Sequence, residues 1–156
     1  MVQSTGSVGQ REGGVEGAIA RLRQLTQLDV QTQWRGHFGD LPVELATRPG
    51  IWDTWQEMPL NARHHIAWDR GEHVLWLGLS LTIPETLAGY PLANLSLRLA
   101  LTWWAVSAEI FLDGILVQEG DLFDCRARIL LRDGVQPGET VALAIRLVSP
   151  GQGCMS

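Results

Sequence analysis

The segment Gln118-Glu119-Gly120-Asp121-Leu122-Phe123-Asp124 holds three carboxylates in a short stretch, with Glu109 a little upstream. Paired carboxylates perform the acid/base and nucleophilic steps of glycoside hydrolysis, standing about 5–5.5 Å or 6.5–9.5 Å apart across the scissile bond. A loop this short spans either gap, so spacing leaves open a catalytic pair or an acidic turn between two strands. The same oxygens can accept hydrogen bonds from sugar hydroxyls or cap exposed backbone N–H groups. Asp121 is expected to face a ligand or partner, and Asp124, beside the next strand, to be structural.

Seven tryptophans against one tyrosine supply the second candidate chemistry. Indole faces pack against the C–H groups of a pyranose, although most of the seven are expected to be core or anchoring residues. Trp103-Trp104 at a strand end should send one ring inward and one outward. An outward ring near Glu109, Gln118, Glu119, Asp121 and Asp124 would form a carbohydrate- or partner-binding platform.

Other chemistries find no support. Adjacent His64 and His65 on a strand would point to opposite faces, and neither HExxH nor CxxC occurs, so no metal site is assigned. No G-x-S-x-G surrounds a serine, and Cys125 falls within a strand. The glycines form neither a P-loop nor a G-x-G-x-x-G after a strand, so no nucleotide cofactor is implied. No residue is assigned a catalytic role, and no cofactor is expected in this chain.

The elements that would position these residues are mostly strands. Leu95 to Trp103 alternates, with Leu95, Leu97, Leu99 and Leu101 on one face. Glu109 to Leu112, Asp113-Gly114 and Ile115 to Val117 form the strongest hairpin, because Asp-Gly supplies the positive φ angles of a type I′ turn. Thr140 to Val148 alternates with Val141, Leu143, Ile145 and Leu147 facing one way. His65 to Trp68, Val74 to Ile83 and Cys125 to Leu131 complete the expected strands. Val15, Ile19, Leu22, Leu25 and Leu28 mark one face of a packed helix. Between helix and strands, Gln31 to Asn61 is rich in turn signals but carries Trp34, Phe38, Trp52 and Trp55, so it should wrap over a sheet.

Turn signals every 8–12 residues, without crossover helices, predict an all-β antiparallel β-sandwich of the jelly-roll or galactose-binding-like kind with one N-terminal α-helix. Residues 1–14 read as a disordered leader, 15–150 as one domain and 151–156 as a flexible tail. The chain has 156 residues, twelve arginines, no lysine and a net charge of −5. That acidic balance argues against nucleic acid or an anionic membrane as partner. No apolar run is long enough to span a bilayer, and the first residues carry no apolar signal-peptide core. With only Cys125 and Cys154, both expected reduced, the chain reads as cytoplasmic.

Several runs resemble a known family: Trp34-Arg35, Asp40-Leu41-Pro42, Gly89-Tyr90-Pro91-Leu92, Leu95 to Trp104, Leu116 to Asp124 and Arg146 to Gly151, with the opening helix Ile19 to Gln27. Together they resemble the N-terminal non-catalytic region of α-mannosidases of glycoside hydrolase family 38, cyanobacterial members above all. The resemblance covers residues 17–151; the tail from Gly151 leaves the family pattern. The family's zinc ligands and nucleophilic aspartate belong to a separate downstream domain whose motifs do not occur here, so no catalytic or metal residue is carried over. The resemblance implies an accessory domain that supports or docks the catalytic domain of an α-mannosidase-type glycosidase. The alternatives are a stand-alone carbohydrate-binding module and a structural domain that self-associates into a homo-oligomer.

Overall fold

A computed structural model describes residues 3–151, with side chains from residue 14 onward. Residues 1–2 and the tail 152–156, including Cys154, lie outside the described residues. The first element is helix α1, Gln3–Thr26. Its backbone begins well ahead of Val15, and no proline interrupts residues 3–26. The expected packed face is not packed: Val15, Ile19, Leu22 and Leu28 are exposed, so little of the apolar stripe is covered. The chain enters the globule only at Val30, which packs against the main core.

Among the described residues ten strands follow, interspersed with two single-turn helices. They are β1 (Arg35–Phe38), α2 (Val43–Ala46), α3 (Pro49–Trp52), β2 (Gln56–Glu57) and β3 (Val74–Thr82). Next come β4 (Thr86–Leu87), β5 (Tyr90–Pro91), β6 (Leu97–Thr102), β7 (Ser107–Leu112), β8 (Ile115–Gly120), β9 (Arg126–Arg132) and β10 (Thr140–Val148). Six of them form one antiparallel sheet in the order β2-β1-β3-β10-β7-β8, while β6 and β9 form the facing sheet and β4-β5 a small hairpin. The molecule is thus an antiparallel β-sandwich of unequal sheets with one N-terminal helix.

The core lies between the sheets. Leu75, Leu77 and Leu79 of β3, Val141, Leu143, Ile145 and Leu147 of β10, and Ala108 and Ile110 of β7 meet Leu99 of β6 and Ala127, Ile129 and Leu131 of β9. The large sheet is also covered on its other face, which explains the almost unbroken apolar run at the start of β3. There Trp52 and Trp55 pack with Ala46, Trp76, Phe111 and Ala144. The Trp52 ring lies flat over Gly78, where a Cβ would come within 2.5 Å of the indole. The indole N–H of Trp52 donates to the Ala46 carbonyl at 2.8 Å, tying α3 to α2 within the strap.

The hairpin between β7 and β8 turns at Asp113 and Gly114, both at positive φ (49° and 84°), as a type I′ turn requires. Three details differ from the sequence pattern. Residues 65–68 form no strand: only an isolated bridge joins Leu60 to Ile66, because His64 adopts positive φ and folds the segment back on Asn61. β6 starts at Leu97 with a register shift between Leu97 and Arg98, leaving Leu95 exposed rather than inward. Arg35–Phe38, expected as irregular strap, pairs with β3 as an inner strand of the sheet.

Leu143 is fully buried in β10, flanked on both sides by paired strands. Leu143→Ala should lower the unfolding free energy by about 2–5 kcal/mol, the usual range for a core leucine. Urea denaturation monitored by tryptophan fluorescence measures it; a loss below about 1 kcal/mol would show that the site collapses around the gap.

Candidate functional site

The predicted platform residues separate into three places. Glu109 lies on the outer face of β7, opposite Glu119 of β8 in the strand register. It accepts a hydrogen bond from Arg146 of β10 at 3.1 Å. Arg146 is the central cation of this face, since its Nε and second guanidine nitrogen also donate to the two carboxylate oxygens of Asp40 at 2.9 and 2.7 Å. The Trp76 indole N–H adds a donor to Asp40 at 3.2 Å. The Arg146 hydrogen bonds hold the Asp40 carboxyl at about 2, and the pair raises the Arg146 pKa in return. Glu109 is therefore one of two carboxylates on a structural ion-pair network centred on Arg146, in which Asp40 ties the strap to the central strand.

The acidic turn forms the second place. Asp121 Oδ1 accepts from the backbone N–H groups of Phe123 (2.7 Å) and Asp124 (2.9 Å), and Asp121 N–H donates to the Asp124 carbonyl at 3.1 Å. These backbone donors, that of Asp124 foremost, lower the Asp121 pKa. A glycosidase general acid needs its pKa raised, so this environment works in the opposite direction. Asp121 closes its own turn, and Asp124 supplies an N–H and the carbonyl that partner it. Gln118 is also committed within the chain, donating from Nε2 to the Arg126 carbonyl at 3.2 Å. Asp121, Asp124 and Glu119 stay exposed, as does Phe123, 98% accessible at the tip.

Trp103 and Trp104 occupy the third place. They follow directly on the end of β6, and one ring points in and the other out: Trp103 is 9% exposed and Trp104 54%. The Trp103 indole N–H donates to the Asp121 carbonyl at 3.2 Å, and its ring lies over Gly120, where no side chain would fit. Both rings line a cleft of about 520 Å³ at one end of the sandwich. Trp34 and Trp68 supply two more indoles, with Asn61, His65 and Thr102 among its polar lining. The sequence reading placed Trp34 as an anchor and Trp68 in a strand; only the fold brings them beside Trp103. A signal existed in the density of tryptophans, but nothing in their spacing shows that 34, 68 and 103 converge. Cys125, half-buried, also lines the cleft.

Among the described residues, no group of three or more His, Cys, Asp or Glu side chains could hold a metal ion. None of the described helices is long and apolar enough to cross a membrane. No protein-family model and no curated protein matches the chain. Solved structures do resemble it. A calcium-binding mutant of Bacteroides uniformis beta-glucuronidase 2 superposes with a TM-score of 0.57 at 18% identity, over 80% of this chain and 15% of that one. Faecalibacterium prausnitzii beta-glucuronidase gives 0.51 at 18% identity, over 73% of this chain and 19% of that one. At this identity the likeness shows the fold alone, an antiparallel β-sandwich. This chain spans less than a fifth of the length of either glucuronidase.

Two outcomes follow from the carboxylates. The depressed Asp40 pKa means its ion pair contributes stability above the ordinary carboxylate pKa of 3.8, and loses it as pH falls towards about 2. Asp40→Asn should flatten the acid limb of a plot of denaturation midpoint against pH; an unchanged limb would remove the ion pair from the stability of the strap. Asp121→Ala, which strips two backbone N–H groups of their acceptor, should lower the Tm measurably, and Asp124→Ala should change it less. Calorimetric melts of the two variants compare them directly.

Proposed function

We propose that this β-sandwich is a non-catalytic accessory domain of a glycosidase, one that supports or docks a catalytic domain. The observation that carries this reading is the fold's likeness to a β-sandwich occupying a minor share of two beta-glucuronidases. The state of the carboxylates agrees with it. Asp121 is held ionised by its own turn, so it is not poised as a proton donor, and Glu109 is engaged in an ion pair with Arg146. The α-mannosidase assignment, glycoside hydrolase family 38 of cyanobacterial type, rests on the runs Gly89 to Leu92, Leu95 to Trp104 and Leu116 to Asp124. On this reading, the zinc and nucleophile reside in the partner catalytic domain, and this chain contributes a rigid surface.

The purified chain should release no nitrophenol from an aryl α-mannoside, with or without added zinc. It should form a stable complex with a family 38 α-mannosidase catalytic domain in analytical ultracentrifugation. Zinc-dependent hydrolysis by the chain alone would overturn the non-catalytic reading. Absence of a complex at micromolar concentrations would overturn docking to that family.

A further inference from the structure

The four-tryptophan cleft plays no part in the docking role just described, and its construction points to a ligand of its own. Its volume of about 520 Å³ lies inside the span of small-molecule sites, roughly 300–1,000 Å³. Two of its indoles are fixed by hydrogen bonds to backbone carbonyls, Trp103 to Asp121 at 3.2 Å and Trp68 to His73 at 3.4 Å. The aromatic surface is therefore set before any ligand arrives, which lowers the ordering cost of binding. Trp104 stays 54% exposed although it lines the same cavity, so part of a large apolar ring faces water.

Asn61 supplies the polar counterpart. Its Oδ1 accepts from the backbone N–H groups of Arg63 (2.9 Å) and His65 (3.1 Å), which orients the carboxamide and leaves its NH2 group available to donate. The same turn is closed by Asn61 N–H donating to the His65 carbonyl and by His64 N–H donating to the Asn61 carbonyl, both at 2.9 Å. A groove built for an apolar peptide has no use for a pre-oriented amide beside its indoles. A pyranose uses both: one ring face presents C–H groups of slightly positive potential to the negative face of an indole, and its edge presents hydroxyls to planar polar side chains.

We infer that this cleft is a saccharide-binding site, in which Trp104 is the stacking platform and Asn61 the hydroxyl-binding side chain for a pyranoside. The site is independent of the docking role, which needs no sugar. It lies beside the acidic turn without using its carboxylates, since Asp121 contributes only the carbonyl that orients Trp103.

Tryptophan fluorescence and titration calorimetry of the full chain with methyl α-mannopyranoside, methyl β-glucopyranoside and methyl β-galactopyranoside test this. At least one glycoside should give a saturable signal with a Kd of about 1 mM. Trp104→Ala and Asn61→Ala should each weaken it about tenfold or more, and Trp104→Phe less than Trp104→Ala. Trp104 is largely exposed, so its variants should keep the wild-type Tm and read binding rather than folding. No saturable signal from any of the three glycosides would overturn the proposal, as would equal binding by Trp104→Ala. Cyclohexanol binding in place of the glycosides would also overturn it, marking an apolar docking groove. None of these results bears on the docking complex, which is measured without sugar.

Discussion

Strand β10 has no free side. It is paired along its length with β3 and over most of it with β7, one face buries four large aliphatic residues against β6 and β9, and the other is covered by the strap. That double burial constrains everything placed around it. On the strap side the residues must be small or fully paired: Ala144 and the neighbouring Gly78 leave room for Trp52, and Arg146 is accepted because Asp40 and Glu109 meet it. A lone guanidinium between sheet and strap would be costly; with two carboxylates it becomes the tie that holds residues 40–55 on the sheet.

Local pattern revealed the elements whose environment is local. The β7–β8 turn is legible because Asp113-Gly114 is chemically suited to its two positive φ angles, and β10 because its aliphatic positions alternate without a break. Arg35–Phe38 was not legible. Four residues with a glycine and a histidine carry too little alternation, and what makes them a strand is the open edge of β3. The helix at Val15 to Leu28 shows the reverse case. Its apolar spacing is that of a packed face, yet spacing specifies only that a stripe exists, not that anything covers it.

The site divides the same way. Carboxylates close in sequence drew attention to residues 118–124, but proximity in a turn more often means that the side chains serve the turn, and Asp121 does. The aromatic cleft draws on four distant stretches of chain, from Trp34, Asn61 to Trp68, and Trp103-Trp104 to the end of β10. Only the sheet order joins them. Adjacency did show that Trp103 and Trp104 must face opposite ways, because that depends on neighbouring residues alone; the fold makes Trp103 the buried ring and Trp104 the exposed one.

The position of β10 in the sheet also sets a timetable. It lies at the middle of the sheet but is the last described strand in the sequence, and its pairing joins Val148 to Val74. During synthesis, β1–β3 and β7–β8 therefore emerge as two separate ribbons, each with an unpaired edge that only β10 can close. Until it arrives, Leu75 and Ile110 have no central strand to pack beside, and both edges are open to strands of neighbouring nascent chains. A sandwich closed by such distant pairing belongs with the slower-folding β topologies, in the millisecond-to-second class, and its most vulnerable interval falls just before residue 140 is made.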